Sequence, residues 1–121
     1  MASDVEEYAV VVDPERSRFE IRAAGEPAGF ADYHRRRGLI AFVHTEVAPA
    51  FEGRGVAGRL ISSALDNARQ AGLAVLPFCP YVRGYISRHH EYLDLVPPAQ
   101  REHFDLPHVE ASAERPAAPL E

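Results

Sequence analysis

The stretch of chain that most constrains the fold is a glycine-rich segment that separates a strand-like sequence from a helical one. It spans residues 47–60 and contains Gly53, Gly55 and Gly58. The first N–H groups of a helix lack internal partners and carry partial positive charge, and glycine lets a ligand approach the bare backbone. The segment therefore predicts an anion site, with phosphate as the ligand it suits best. It has neither the Lys-Ser/Thr ending of a P-loop nor the GxGxxG spacing of a dinucleotide site, so a tight turn that binds nothing is the alternative.

A helix over about residues 55–71 is predicted by the spacing of its apolar side chains. These recur at intervals of three and four residues, at Ala57, Leu60, Ile61, Ala64, Leu65 and Ala68. Gly72 follows where a C-cap glycine belongs. The apolar run at residues 73–78 then predicts a fully buried parallel strand, reached by a right-handed crossover. Because Pro77 cannot donate to a sheet ladder, it marks the expected point at which this strand separates from its neighbour.

Four shorter segments precede the glycine-rich one, at residues 7–13, 19–22, 30–35 and 39–47. Each is β-branched or alternates apolar with polar residues, and turn residues separate the segments. They predict a meander of four antiparallel strands, with a hairpin turn at residues 25–27. The predicted fold class is therefore α+β, in which the meander is followed by a helix, a parallel strand and a short last helix.

Three short motifs follow one another in an order that points to a family. They are Val-His-Thr-Glu-Val at residues 43–47, Glu-Gly-Arg-Gly-Val-Ala at 52–57 and Pro-Phe-Cys-Pro-Tyr-Val at 77–82. Their order resembles the acetyl-CoA-binding half of the GNAT acyltransferase superfamily, and more narrowly the short single-domain GNAT-like N-acetyltransferases with a cysteine after the last core strand. The resemblance covers roughly residues 5–96. It departs at Glu52, where the superfamily has Gln or Arg, but that position supplies a backbone group more than a side chain.

The resemblance implies a GNAT-like fold that binds acetyl-CoA, or CoA, as a cosubstrate and needs no metal. It assigns the pyrophosphate to backbone N–H groups between Arg54 and Arg59, and the pantetheine arm to the gap where the two strands separate. The residues that it implies for the cofactor are Glu46, Val47, Gly53, Arg54, Gly55, Val56, Ala57, Gly58, Arg59, Tyr81, Tyr85 and Arg88. For the arginines the alternative is a solvated helix surface, and for one of the tyrosines it is packing against the sheet.

Three residues are candidates for catalysis: Cys79, His44 and Glu46. Cys79 precedes a predicted helix, where the helix dipole favours a reactive thiolate that could accept the acetyl group, and simple packing of a buried thiol is the alternative. His44 and Glu46 share one face of the fourth strand, opposite Thr45, because side chains alternate. Either could take a proton from an amine or from Cys79, and His44 comes first because imidazole titrates nearest to neutral pH. The alternative is an ion pair on a wet sheet face.

The predicted function is transfer of acetyl from acetyl-CoA to an unidentified amine, on a small molecule or a protein. Direct attack by the amine is the superfamily's usual route, and relay through Cys79 is the variant that this sequence offers. One alternative is a non-catalytic CoA-binding module that acts as a sensor or interaction domain. Another is a purely structural interaction domain whose glycine turn binds nothing. CoA binding separates this last alternative from the other two hypotheses, and turnover with an amine separates those two from each other.

Length and composition limit the other possibilities. The 121 residues are expected to form one domain over residues 1–96, followed by a Pro-rich, partly disordered tail at 97–121 that holds five of the ten prolines. A net charge of −5 argues against a nucleic-acid partner. No apolar run is long enough for a membrane span, and no signal-peptide pattern follows Met1. The single cysteine predicts a cytoplasmic protein with a reduced thiol. A monomer or weak dimer is expected, and the histidine spacings match no metal site.

Overall fold

A computed structural model describes residues 7–106 of the chain. Its strands are β1 (Tyr8–Asp13), β2 (Arg18–Ala23), β3 (Glu26–Arg36), β4 (Leu39–Val47) and β5 (Ala74–Pro77). Its helices are α1 (Val56–Gln70), α2 (Pro80–Arg88) and α3 (Pro98–Arg101), with short 3₁₀ turns at Pro49–Phe51 and His90–Leu95.

The five strands form one mixed sheet in the order β1-β2-β3-β4-β5. Neighbours from β1 to β4 are antiparallel and β5 is parallel to β4, so the predicted meander, helix, parallel strand and last helix are confirmed. The strand β3 begins earlier than predicted because Ala24 and Gly25 alone make the turn, with φ values of 50° and 86°. Positive φ at both central residues is typical of the tight type I′ hairpin, so Glu26 already pairs with Ala23.

The strand β5 is not fully buried, and that prediction was wrong. Val75 and Pro77 are buried, but Ala74 and Leu76 are only half-buried, and Phe78 just beyond the strand is 48% exposed. The physical reason is the position of β5 at the edge of the sheet, where it pairs with β4 alone. A continuous apolar run does not distinguish a central strand from an edge strand that is covered on one face.

The hydrophobic core lies between one face of the sheet and the helices α1 and α2. Phe19 anchors it, with its ring centre 5.3 Å from that of Tyr33 and 6.1 Å from that of Phe42. The buried side chains of α1 are Val56, Leu60, Ile61, Ala64, Leu65 and Ala68. This is the predicted stripe except at its first position, where Val56 is buried in place of Ala57. Ala57 is only half-buried at the start of the helix.

Polar contacts from Asp66 and Arg69 of α1 hold the turn at His90–Leu95 against that helix. The hydroxyl of Tyr92 donates to Asp66 Oδ1 at 2.8 Å. Burial and this hydrogen bond raise the pKa of Tyr92 to about 12, so the hydroxyl remains a donor even at a pH at which an exposed tyrosine ionises. One turn further along α1, Arg69 donates to both carboxylate oxygens of Asp94, at 2.8 and 3.0 Å. These contacts fix the segment that follows α2 and therefore the direction of α2 itself.

The packed chain extends past Val96, at which the sequence analysis ended the domain. After α3, Phe104 and Leu106 are buried in the same hydrophobic cluster as the rest of the core. The ring of Phe104 meets that of Phe78 edge-on, with their centres 5.1 Å apart. The segment that was predicted as a tail therefore contributes to the core as far as Leu106. The remainder of that tail, residues 107–121, lies outside the described residues, and its partial disorder stays a prediction.

We expect Phe104→Ala to lower the free energy of unfolding by about 3 kcal/mol, because it removes a buried aromatic side chain and leaves a cavity. Denaturant unfolding measures this change. Glu102→Ala is the matched control, since that side chain is exposed in the same segment and its removal should change stability by less than about 0.5 kcal/mol. Equal stabilities of the two variants would show that the chain beyond Val96 does not stabilise the fold.

Candidate functional site

The site is built around the point at which β4 and β5 separate. Their pairing runs from Leu39 opposite Ala74 to Phe42 opposite Pro77, and it ends there as the missing N–H of Pro77 predicts. One further hydrogen bond follows, from the Cys79 N–H to the Phe42 carbonyl at 2.8 Å. Beyond it β4 continues without β5 as a neighbour, so a gap opens along one side of the strand.

A β-bulge in β4 lies next to this gap. Tyr33 of β3 pairs with Phe42, but the preceding residue Asp32 pairs with His44, which leaves Val43 as an extra residue in β4. The bulge brings Phe42 and Thr45 onto the same buried face, although they are three positions apart. It also places His44 on the opposite face, because side chains alternate again beyond the bulge.

A cleft of about 430 Å³ lies between the end of β4, the glycine-rich turn and the first turn of α2. Its walls are formed by Val47, Phe51, Glu52, Gly53, Gly55, Val56, Ala57, Gly58 and Tyr81. Seven of these residues are ones that the resemblance implied for the cofactor. Phe51 and Glu52 are additional: the first comes from the 3₁₀ turn at Pro49–Phe51, whose Pro49 was a local signal for such a turn.

The glycine-rich turn forms an open backbone cradle at the start of α1. Gly53 and Gly55 have φ values of 82° and 75°, which other residues rarely adopt. Gly55 is the N-cap of α1 and supplies no side chain to cap the helix, so the first-turn N–H groups are left to an outside acceptor. A Cβ atom at either glycine would meet nothing within 4 Å, so the space in front of the backbone is open. The helix dipole adds partial positive charge there.

The two arginines of the motif lie beside this cradle against aromatic rings. The Arg59 guanidinium lies 4.7 Å from the centre of the Tyr8 ring, and that of Arg54 lies 5.5 Å from the centre of the Phe51 ring. Neither Arg54 nor Arg59 lines the cleft. Anion binding by the backbone of the turn, and a contact from either arginine, both stay predictions.

The predicted residues of α2 divide into two groups. Tyr81 is exposed and lines the cleft. Tyr85 packs instead, with its ring stacked on His89 at 4.1 Å between centres and next to Gly58 of α1. Arg88 folds back over its own helix, with Nη1 at 3.4 Å from where a Cβ of Gly84 would lie. The alternative of core packing thus applies to Tyr85, and the structure brings only Tyr81 to the cleft.

Cys79 is the N-cap of α2 and is only 2% exposed. Its thiol donates to the hydroxyl of Thr45 at 3.3 Å, across the gap between the two strands. Thr45 is the buried polar residue of β4, and the sequence analysis noted only that it faces away from His44. The thiol therefore lies at the point of strand separation but behind the wall of the cleft rather than in it.

His44 and Glu46 form a pair on the other face of β4. Their Nε2 and Oε2 atoms are 2.8 Å apart, and their side chains are 53% and 61% exposed. The ring of Phe30 lies beside His44, with their centres 6.0 Å apart. The structure thus brings His44 and Glu46 together, as their spacing indicated, but it places them on the opposite side of the strand from Cys79.

Comparisons with known proteins agree with this geometry. A family model described as GCN5-related N-acetyl-transferase matches residues 18–95 of the chain. The chain belongs to that family. It is also similar to Protein NATD1 of Mus musculus, with 30% identity over 91 residues, which cover 71% of this chain and 82% of that protein. The GCN5-related resemblance that the three motifs carried is confirmed.

GCN5-related N-acetyltransferases generally use acetyl-CoA, and the site fits that cosubstrate. The open cradle at Gly53 and Gly55 offers backbone N–H groups to a pyrophosphate, and a Cβ at either position would enter free space. The gap beyond Phe42 continues from the cradle between β4 and the start of α2. Within residues 7–106, no three His, Cys, Asp or Glu side chains are grouped so as to hold a metal ion. No helix in this part of the chain is long and apolar enough to cross a membrane.

We expect Ala57→Met to weaken CoA binding by at least about tenfold, because a longer side chain on the first turn of α1 fills the cleft without any change in backbone conformation. A side chain at Gly55 would be a poorer test, since its positive φ strains any other residue and destabilises the fold as well. Isothermal titration calorimetry with CoA gives the affinity. Asn67→Met, on the exposed surface near the other end of α1, is the matched control and should bind CoA like the wild type.

Proposed function

We propose that this protein is an N-acetyltransferase that transfers acetyl from acetyl-CoA directly to an amine. The observation that carries the proposal is the open backbone cradle at Gly53 and Gly55, which adjoins the gap between β4 and β5. An anion held at the cradle leaves the gap as the path for the rest of a long, thin ligand. The gap ends at the middle of β4, beside the bulge and the His44–Glu46 pair.

The proposal gives the chain's own groups three tasks. They bind the pyrophosphate in a cleft that excludes water, hold the pantetheine arm with its acetyl carbonyl, and take up a proton. The first-turn N–H groups of α1 bind the pyrophosphate, and Phe51 and Tyr81 form the apolar walls of the cleft and exclude water. Backbone groups of β4 beyond Phe42 have lost β5 as a partner, so they are available to hold the pantetheine arm and to polarise the acetyl carbonyl. Acetyl-CoA supplies a thioester whose carbonyl an amine can attack; the C–N bond forms, the C–S bond breaks, and CoA leaves as a thiolate that takes up a proton from solvent. The third task is to take up the proton that the attacking amine loses.

The His44–Glu46 pair is the proposed proton acceptor. In the tautomer in which Nε2–H donates to Glu46, the lone pair of Nδ1 is free to accept a proton. The carboxylate of Glu46 then fixes the ring and stabilises the imidazolium that forms. Because both side chains are exposed, an amine can reach them from solvent. A pair on this face serves an acceptor that arrives from the side of the sheet opposite the helices.

Direct attack is supported over relay through Cys79 by the position of the thiol. It is buried, and its hydrogen-bond partner is the neutral hydroxyl of Thr45 rather than a base. A relay needs a thiolate, hence a group that accepts the proton. His44 and Glu46 are on the opposite face of β4 from Thr45, so β4 itself separates the thiol from them.

We therefore expect acetyl-CoA alone to leave no covalent acetyl group on the protein, and Cys79→Ser to retain at least about a third of the wild-type turnover with an amine panel. Intact-protein mass spectra, before and after treatment with hydroxylamine, report the adduct. A hydroxylamine-sensitive acetyl group on the wild type that Cys79→Ser lacks would establish the relay instead. CoA binding without turnover on any amine would make the chain a CoA-binding module.

We expect His44→Gln to lower kcat about 100-fold, the usual contribution of a general base, while CoA affinity stays unchanged. Glu46→Gln should lower kcat less, because it removes the group that orients the base and leaves the base in place. Glu26→Gln is the control, since it removes an exposed carboxylate at the start of β3. Steady-state kinetics and CoA titration measure the two quantities. Unchanged kcat in His44→Gln would show that another group accepts the proton.

A further inference from the structure

The two edges of the sheet differ in how well they are protected from further pairing. The strand β5 is four residues long and ends in Pro77, and both properties discourage the addition of another strand. The strand β1 is six residues long and pairs with β2 in continuous register. Its sequence from Tyr8 to Val12 contains no charged residue and no proline. Among the described residues, no strand pairs with its outer edge.

The apolar surface of β1 is also unusually exposed. Val11 and Val12 are 42% and 43% exposed, and they are two of the four exposed large apolar side chains in residues 7–106. Of the other two, Tyr81 lines the cleft, and Phe78 directly follows β5 at the opposite edge of the sheet. Neighbouring valines in a strand point to opposite faces, so apolar surface is present on both faces of the edge.

The backbone of β1 shows which residues can form new hydrogen bonds. The carbonyl of Glu7 accepts from the Ala24 N–H at 2.9 Å, so Glu7 bonds inward to the sheet. Bonding direction alternates along an antiparallel strand. The N–H and C=O groups of Val10 and Val12 are therefore directed to the outer edge, and those of Val11 are directed to β2.

We infer that β1 is a homodimer surface, at which the β1 strands of two copies pair antiparallel and join their sheets into one. A two-fold axis at Val11 places Val10 of one copy opposite Val12 of the second copy, so outward-directed groups meet and exchange hydrogen bonds. Val11 then faces Val11 of the second copy, and Ala9 faces Asp13. Within β1, from Tyr8 to Asp13, this register opposes no like charges; Glu7 falls opposite Glu15, which lies in the turn after β1 and outside the strand pair.

The neighbouring register, with its two-fold axis at Val10, is less favourable. A two-fold axis at Val10 also matches the outward-directed groups, but it places Glu7 opposite Asp13 of the second copy, twice per dimer. Like charges directly opposite each other destabilise a strand pair. The register with its axis at Val11 avoids this and gathers the valines at the centre. Self-complementarity of this kind is what a two-fold interface requires, and it commits the surface to a second copy of this chain.

The first test compares two lysine substitutions on the same exposed strand, by sedimentation velocity from about 1 µM to about 1 mM. We expect the wild type to dimerise reversibly over this range, because a single strand pair is a small interface. Val11→Lys should weaken dimerisation at least about tenfold, since two ammonium groups would face each other. Ala9→Lys should preserve or strengthen it, because its ammonium would meet Asp13 of the second copy. Thermal unfolding of both variants at low concentration checks that the monomer is unaffected.

The second test fixes the register by disulfide formation. Directly opposed residues that do not exchange hydrogen bonds have Cα atoms about 4.5 Å apart, within the range of a disulfide. Val11→Cys should therefore form a covalent dimer when diamide oxidises the protein, whereas Ala9→Cys should not, and the buried Cys79 of the wild type should give none. A wild type that stays monomeric over the whole range overturns the proposal. Equal effects of the two lysine variants, or equal cross-linking at both positions, overturn the register.

Discussion

The hydrogen bond from the Cys79 N–H to the Phe42 carbonyl is the contact on which the site depends. It is the last backbone hydrogen bond between β4 and the chain that follows β5: before it, β5 pairs with β4, and after it α2 turns away. Pro77 removes the donor that would extend the ladder, and Pro80 begins the helix in its favoured position. The gap is thus a consequence of two prolines on either side of one hydrogen bond.

The bulge at Val43 divides the chemistry of β4 between two faces. Without it, Phe42 and His44 would share a face, and either Phe42 would leave the core or His44 would enter it. With it, Phe42 and Thr45 both face the core and His44 and Glu46 both face solvent. Thr45 in turn satisfies the thiol of Cys79, so that thiol fills a structural role at the gap. One extra residue therefore separates a buried polar contact from an exposed proton acceptor.

Local patterns in the sequence were enough to predict most of the fold. The stripe of α1 and the alternation of β2 each reflect which face is buried, and the structure agrees with both. The wrong predictions concerned features that depend on contacts between segments distant in the sequence. The edge position of β5 and the burial of Phe104 depend on which elements meet, which no window of sequence contains. The hairpin turn was predicted at residues 25–27 rather than at Ala24–Gly25, because alanine at positive φ is rare.

The candidate site was predictable as far as backbone chemistry determines it. Glycines before a helical stripe indicate an open helix N-terminus, and seven of the implied cofactor residues line the cleft. Side-chain directions were less accessible, because they depend on neighbours far along the chain. Arg59 lies over Tyr8, about fifty positions earlier, and Tyr85 packs against Gly58. Neither contact has a signal in the local sequence, so those residues were assigned by family pattern alone.

The helices cover only one face of the sheet, so apolar side chains on the other face need a different cover from water. Here side chains of the sheet itself provide it. Among the described residues, that face carries Phe30 at its centre, and the Arg18 guanidinium covers it at 3.8 Å from the ring centre. Asp32 holds the guanidinium in place, accepting from Nε at 2.9 Å. The aromatic ring is shielded without a further layer of structure, because an arginine can cover apolar surface and stay hydrated. Because no further layer of the described residues covers this face, the neighbouring His44–Glu46 pair is open to solvent. In the proposed reaction, the acceptor amine would therefore be recognised by few contacts rather than by an enclosed pocket.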